Sequence, residues 1–331
     1  MEITRLHWGT HDGYPIYLFT LENKNGAKVQ LTNFGAALVS VLVPDRAGKL
    51  ANVVLGYPEF QGYLYDNAYM GVTVGRFANR IAGGRFQLNG KIYLLENNDN
   101  GNSNHGGFSG FHKKVFDDEV SGERLLFRLH SPDGEGGYPG NLEVEVAYEW
   151  TDDNRLMIVY TAFSDCDTIA GFTNHAYFNL SGMREKIMGH RLRISGDRVL
   201  EADTDYIPTG RVLPAAELSF NGGFLRPELN VCYLLSDTGG KILPAAALWH
   251  EGSGRTLEVS TTYPGMMLYT GDFLGGNPYE GHLGYCYSAL DGLCLECQYY
   301  PDSPNQPGFP SVLLRSDEHY RQEIIYHFKT I

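Results

Sequence analysis

Long apolar runs, basic runs and paired cysteines are what this chain of 331 residues has least of. No uninterrupted apolar stretch approaches the roughly 18 residues a spanning helix needs, so no membrane segment is expected. The opening MEITRLHWGT has no basic region followed by an apolar one, so no signal peptide is expected and a cytoplasmic location is. Acidic residues outnumber basic ones, 39 to 26, for a formal charge of −13. That balance leaves no electrostatic footprint for nucleic acid and repels anionic membranes. The five cysteines are odd in number and too few for a disulfide framework. Cys294 and Cys297 match C-x-x-C, but the surrounding GLCLECQYY reads as a strand. Residues three apart on a strand face opposite sides and cannot share one ion, so buried thiols are expected instead. Also missing are G-x-x-x-x-G-K-[ST], a strand–helix G-x-G-x-x-G and a G-x-S-x-G elbow, which removes phosphate-loop, dinucleotide and common serine-hydrolase readings. Asp203-Thr-Asp205 starts like a calcium loop but lacks the later glycine and glutamate, and is expected to be a turn.

What is abundant is Gly (40), Tyr (22) and Phe (17), a composition that suits short strands and tight turns. Leu142, Val144, Val146, Tyr148 and Trp150 alternate with Glu143, Glu145, Ala147 and Glu149, the mark of a half-buried antiparallel strand. Similar runs lie at Lys28–Phe34, Ala37–Val43, Leu125–Leu129, Leu156–Phe163, Arg191–Ile194, Thr256–Thr261 and Glu323–Phe328. Turn clusters such as DRAGK, TDDN, NGG, DTGG and EGSG separate them, and the one plausible helix is short, Pro58 to Tyr65. This spacing predicts an all-β sandwich or barrel-like sheet stack. With no repeat, low-complexity tract or linker, residues 1–331 are expected to form one domain.

Four polar segments interrupt the alternation. In GRFANRIAGGRF, Asn79 and Arg80 sit among apolar residues, where an arginine serves equally as substrate contact or carboxylate partner. In Asn104-His105-Gly106-Gly107, two glycines allow close backbone approach beside an imidazole. In NHAYFNL, strand periodicity puts His175, Tyr177 and Asn179 on one face, although a lone buried histidine is more often a satisfied core residue. In LCLECQYYPDSPNQPGFP, Glu296 breaks a strand of Leu, Cys and aromatics. A buried carboxylate needs a task or a partner: a general base with a raised pKa, or a salt bridge, for example to Arg80.

Taken in order with GEGGYPGNL, IPTG and TTYPGMMLYTGDF, these segments resemble the aldose 1-epimerase (galactose mutarotase) family over nearly the whole chain. The resemblance implies an all-β fold, a large antiparallel β-sandwich of the galactose mutarotase type with the sugar cleft on one sheet. It implies Glu296 as catalytic base, His175 as catalytic acid, and His105, Asn79 and Arg80 as sugar contacts. It implies no cofactor and no metal, a small-molecule aldose as partner, and a monomer or homodimer. Two positions depart from the family pattern. Asn230 and Val231 stand where an Asp-His pair is usual, and Met267 where many relatives carry Gln; both bear on sugar recognition.

The implied reaction interconverts α and β anomers by opening and reclosing the hemiacetal, with Glu296 ionised and His175 protonated at the start. A glycoside hydrolase would need two carboxylates flanking the scissile bond. A non-catalytic sugar binder on the same fold would have no use for a proton-transfer pair.

Overall fold

The computed structural model describes every residue except 216, 217, 219, 221, 237 and 238. Asn221 of the NGG cluster and Asp237 and Thr238 of DTGG therefore lie outside the described residues.

All eight alternating runs form strands, extended by a residue or a few at their ends in most cases. Leu142–Trp150 buries Leu142, Val144, Val146, Tyr148 and Trp150, as its period of two requires. The expected helix forms as one turn and a fraction, Phe60–Leu64. The structure adds strands that alternation did not mark, notably Glu2–His11 and Pro208–Pro214. Each lies at a sheet edge with most residues exposed or half-exposed, so no apolar face was needed to write the pattern.

Strand pairing is antiparallel throughout the three main sheets. A nine-stranded sheet has the strand Tyr320–Thr330 at its centre, between Arg155–Ser164 and Arg255–Thr261. A five-stranded sheet runs from Glu2–His11 to Leu50–Asn52. A six-stranded sheet runs Tyr177–Phe178, Leu293–Gln298, Gly265–Tyr269, Asn230–Leu234, Arg198–Ala202, Pro208–Pro214. The main hydrophobic cluster takes side chains from all three: Phe19 and Leu31, Phe127 and Tyr326, Leu268 and Leu295. It forms the filling of a sandwich.

The strand Leu293–Gln298 is buried along its whole length. Its odd-numbered members Leu293, Leu295 and Cys297 enter the main cluster. Its even-numbered members Cys294, Glu296 and Gln298 face the other way. The two thiols of C-x-x-C thus lie on opposite sides of the sheet, Cys297 in the main cluster and Cys294 in another.

Candidate active site

Where the six-stranded sheet turns its outer face to the loops around residues 67–80 and 104–105, it floors a cleft of about 320 Å³. The lining is Asn67, Ala68, Tyr69, Asn79, Arg80, Asn104, His105, His175, Tyr177, Asn230, Tyr269, Phe273 and Glu296. Glu296 is the only carboxylate among the described residues that line it. A larger hollow of about 520 Å³, lined by Arg198, Tyr300 and Phe309 among others, holds no acid–base pair.

Glu296 and His175 reach this floor on neighbouring chain segments. Tyr177 pairs with Cys294, so His175 lies beside Glu296 across the same edge of the sheet. The His175 backbone is held on its other side, where its N–H donates to Val72 O (3.0 Å) and its carbonyl accepts from Gly71 N (3.0 Å). His175 Nε2 stands 3.6 Å from Glu296 Oε2, an ion-pair separation longer than a hydrogen bond. Cys294 Sγ lies 3.6 Å from the other ring nitrogen, Nδ1. Glu296 Oε2 is buried with no hydrogen-bond partner.

Burial penalises both charged forms. It pushes the Glu296 carboxyl up to about 8, against an opposing pull from Arg80. It brings the His175 imidazole down to about 4. Both shifts favour the uncharged forms, a protonated Glu296 carboxyl beside a neutral His175 imidazole. This differs from the starting state expected from the sequence, and the reason is that neither charge is solvated.

His105 is joined to Asn79 by reciprocal bonds: Asn79 N–H donates to His105 Nδ1 (3.2 Å) and His105 N–H to Asn79 O (3.2 Å). Burial keeps this imidazole neutral, well below its ordinary pKa. With Nδ1 accepting, the ring proton sits on Nε2, which makes His105 a hydrogen-bond donor. Ligand atoms of His105, His175 and Glu296 come within 4.8 Å of one another, close enough in principle for a cation. The His105 tautomer opposes that use: one nitrogen is occupied by Asn79 and the other carries the proton. Asn79 Oδ1 accepts from Arg80 N (2.9 Å), which leaves its amide nitrogen for a ligand oxygen. The glycines after His105 serve the fold. A Cβ on Gly106 would lie 1.9 Å from Gly75 O, and one on Gly107 2.6 Å from Glu96 Oε2.

The cleft thus gathers Glu296, His175, His105, Asn79, Arg80 and Asn230. It does not include Met267, which pairs with Glu296 in the sheet and packs with Leu200, Cys232, Leu234 and Tyr300. Met267 lines an adjoining cavity of about 230 Å³ that shares Asn230 with the cleft. Asn179 also departs from its expected place beside His175. Its side chain ties a turn by bonding Glu185 O (2.7 Å) and Asp291 O (2.8 Å). Sequence reasoning missed Tyr69, Tyr269 and Phe273. Tyr269 and Phe273 belong to TTYPGMMLYTGDF, and they stack with centroids 6.3 Å apart at the rim. Tyr69 lies in no recognised motif; its ring lies 4.5 Å from that of His105 and 5.8 Å from that of His175.

The model of the aldose 1-epimerase family matches residues 17–327 of this chain. The mouse galactose mutarotase is 41% identical over 314 residues, covering 91% of this chain and 90% of that protein. The aldose 1-epimerase of Escherichia coli K12 is 36% identical over 335 residues, with 96% of each covered. Among solved structures, an aldose epimerase homologue from C. elegans superposes with a TM-score of 0.88 at 30% identity, covering 95% of this chain and 99% of its own.

Proposed function

This chain belongs to the aldose 1-epimerase family and interconverts the anomers of free aldoses, and we propose that it does so with Glu296 as proton acceptor and His175 as proton donor. The observation that carries this assignment is the buried pair itself, 3.6 Å apart on the floor of the cleft. Glu296 takes the proton of the C1 hydroxyl as the C1–ring-oxygen bond breaks. The bonding electrons go to the ring oxygen, which takes a proton from His175, and an open-chain aldehyde results. Rotation about C1–C2 presents the other carbonyl face. His175 then recovers the proton from the hydroxyl as it attacks C1, and Glu296 returns its proton to the new anomeric oxygen. The reactive ion pair and the resting neutral pair contain the same single proton, so they differ by an internal transfer and not by pH. His105 Nε2–H, the Asn79 amide and Arg80 orient the sugar and offset charge growing on the ring oxygen.

A glycosidase reading is disfavoured because one carboxylate lines the cleft where two are needed. Polarimetry of freshly dissolved α-D-galactose and α-D-glucose tests the assignment. Glu296→Gln and His175→Asn should each lower kcat by about 10²–10⁴-fold with the fold intact by circular dichroism. Near-parental kcat at saturating sugar in either variant would refute the pair.

One cluster running from Phe19 to Phe328 supports a single unit over residues 1–331. No helix among the described residues is long and apolar enough to cross a membrane. All five thiols are free, which supports a reducing, cytoplasmic setting for the enzyme, as monomer or homodimer.

A further inference from the structure

Arg80 enters the cleft from a two-residue strand whose backbone is pinned by Asn104 across the pair and by Asp302 N–H on its carbonyl (2.7 Å). The guanidinium is held by two residues that do not line the cleft. Asp99 Oδ2 accepts from Nε at 2.7 Å, with the two side chains only 15% and 28% exposed. The Tyr206 ring lies 5.0 Å beneath the guanidinium carbon. Both holders sit on tightly tied turns. Asp99 exchanges backbone bonds with Asn102 (3.2 and 2.8 Å), and Asn98 clamps the backbone of Asn104 with its side-chain amide (2.9 and 2.7 Å). Tyr206, at φ 61°, is presented by a turn in which Asp203 Oδ1 accepts from Asp205 N and Ile207 N, both at 2.9 Å. The Asp203-Thr-Asp205 motif therefore serves to place an aromatic ring under the arginine.

The mode of pairing matters more than the pairing. A carboxylate usually grips arginine through two nitrogens at once. Here Nε alone is engaged among the described residues, and the terminal nitrogens, with four N–H donors, face a cleft in a largely buried setting. Donors open to the cleft in this way are free to be taken up by hydroxyl oxygens of a ligand. We propose that Asp99 and Tyr206 are positioning residues for sugar recognition: they fix the Arg80 guanidinium plane with Nη1 and Nη2 turned to the substrate hydroxyls. This rests on Arg80 being a sugar contact, as argued above. Arginine is long and flexible, and holding it in place before binding spares the sugar that ordering cost.

The test is steady-state mutarotation of galactose and glucose with Arg80→Ala, Asp99→Asn, their double variant, Tyr206→Leu and Tyr206→Phe. Asp99→Asn should raise KM about 5–20-fold with kcat changed less than about 3-fold, the pattern of lost uniform binding. In the Arg80→Ala background the same change should add nothing, because its effect passes through Arg80. Tyr206→Leu should raise KM while Tyr206→Phe, which keeps the ring, should not. An equal KM increase from Asp99→Asn with and without Arg80 would make Asp99 a loop support and overturn the inference. So would unchanged KM in both Asp99→Asn and Tyr206→Leu while Arg80→Ala binds sugar poorly. Unchanged KM in Arg80→Ala would instead remove the reading of Arg80 itself, and the inference with it.

Discussion

Glu296 and His175 share one proton over a broad span because burial moves their affinities apart, to about 8 and about 4. Below the lower value a second proton removes the acceptor; above the upper value the last proton leaves and no donor remains. The kcat/KM of mutarotation, corrected for the spontaneous rate, should therefore be level through neutrality and fall with a limb near pH 8. A profile still level at pH 9.5 would mean that the shared proton is not required. Asn230 and Met267 separate at the same scale. Asn230 borders the cleft, and Asn230→Asp would turn a neutral acceptor into a charged one, strengthening bonds from sugar hydroxyls. It should lower KM for galactose or glucose with little change in kcat. Met267→Gln would put an amide among Leu200, Cys232, Leu234 and Tyr300 and should cost stability without lowering KM. Equal KM effects from both substitutions would contradict this separation.

Elements explain which of these residues the sequence could disclose. Glu296 was legible because it is a carboxylate inside a strand, where period two sends Leu295 and Cys297 inward and the acid to the cleft. His175 was legible from its motif, but periodicity misassigned Asn179, because the chain leaves the strand after Phe178 and closes a turn around Ser181 and Glu185. Tyr69 was illegible: it sits in a loop, at φ 57°, and meets His105 only through tertiary structure. Met267 was placed in the site by family pattern; it shares a sheet face with its ladder partner Glu296 but lies one strand further across, over the adjoining cavity. The segment from Asn97 to Gly110 joins these levels, since it carries both Asp99 and His105. Gly106, at φ 84°, lets it pass against the carbonyl of Gly75. Gly106→Ala would force a Cβ to 1.9 Å from that oxygen. It should cost more than about 1 kcal/mol by urea unfolding and also raise KM, by displacing His105. Parental stability would show that the loop yields more easily than its packing implies.

At the scale of the whole molecule, the sandwich that buries Glu296 also buries several imidazoles. Burial holds His105, His112, His175, His190 and His282 below the ordinary range, with His112 and His190 near 3 and His175 near 4. These groups stay neutral in the folded protein while the unfolded chain protonates them near 6.5. A depressed folded pKa gives stability that is complete above the unfolded value and is lost as pH falls through the window beneath it. Each such histidine steepens the loss by up to about 1.4 kcal/mol per pH unit. Glu296 acts with the opposite sign: its raised value favours the folded state below the ordinary carboxylate range and withdraws that support as pH rises towards 8. Asp66, also buried and raised, joins Glu296 on that side, against six lowered imidazoles once the half-buried His327 is counted, so the stability maximum should lie near pH 7, with a steep fall between 6.5 and 5. That acid loss would overlie any lower limb of the activity profile, which makes the limb near pH 8 the cleaner reading of the catalytic pair. Urea midpoints measured from pH 5 to 9 check the sign directly. A midpoint constant from pH 7 to 5 would mean that the histidines gain protons in the folded state as readily as in the unfolded one, and that their surroundings are wetter than the packing indicates.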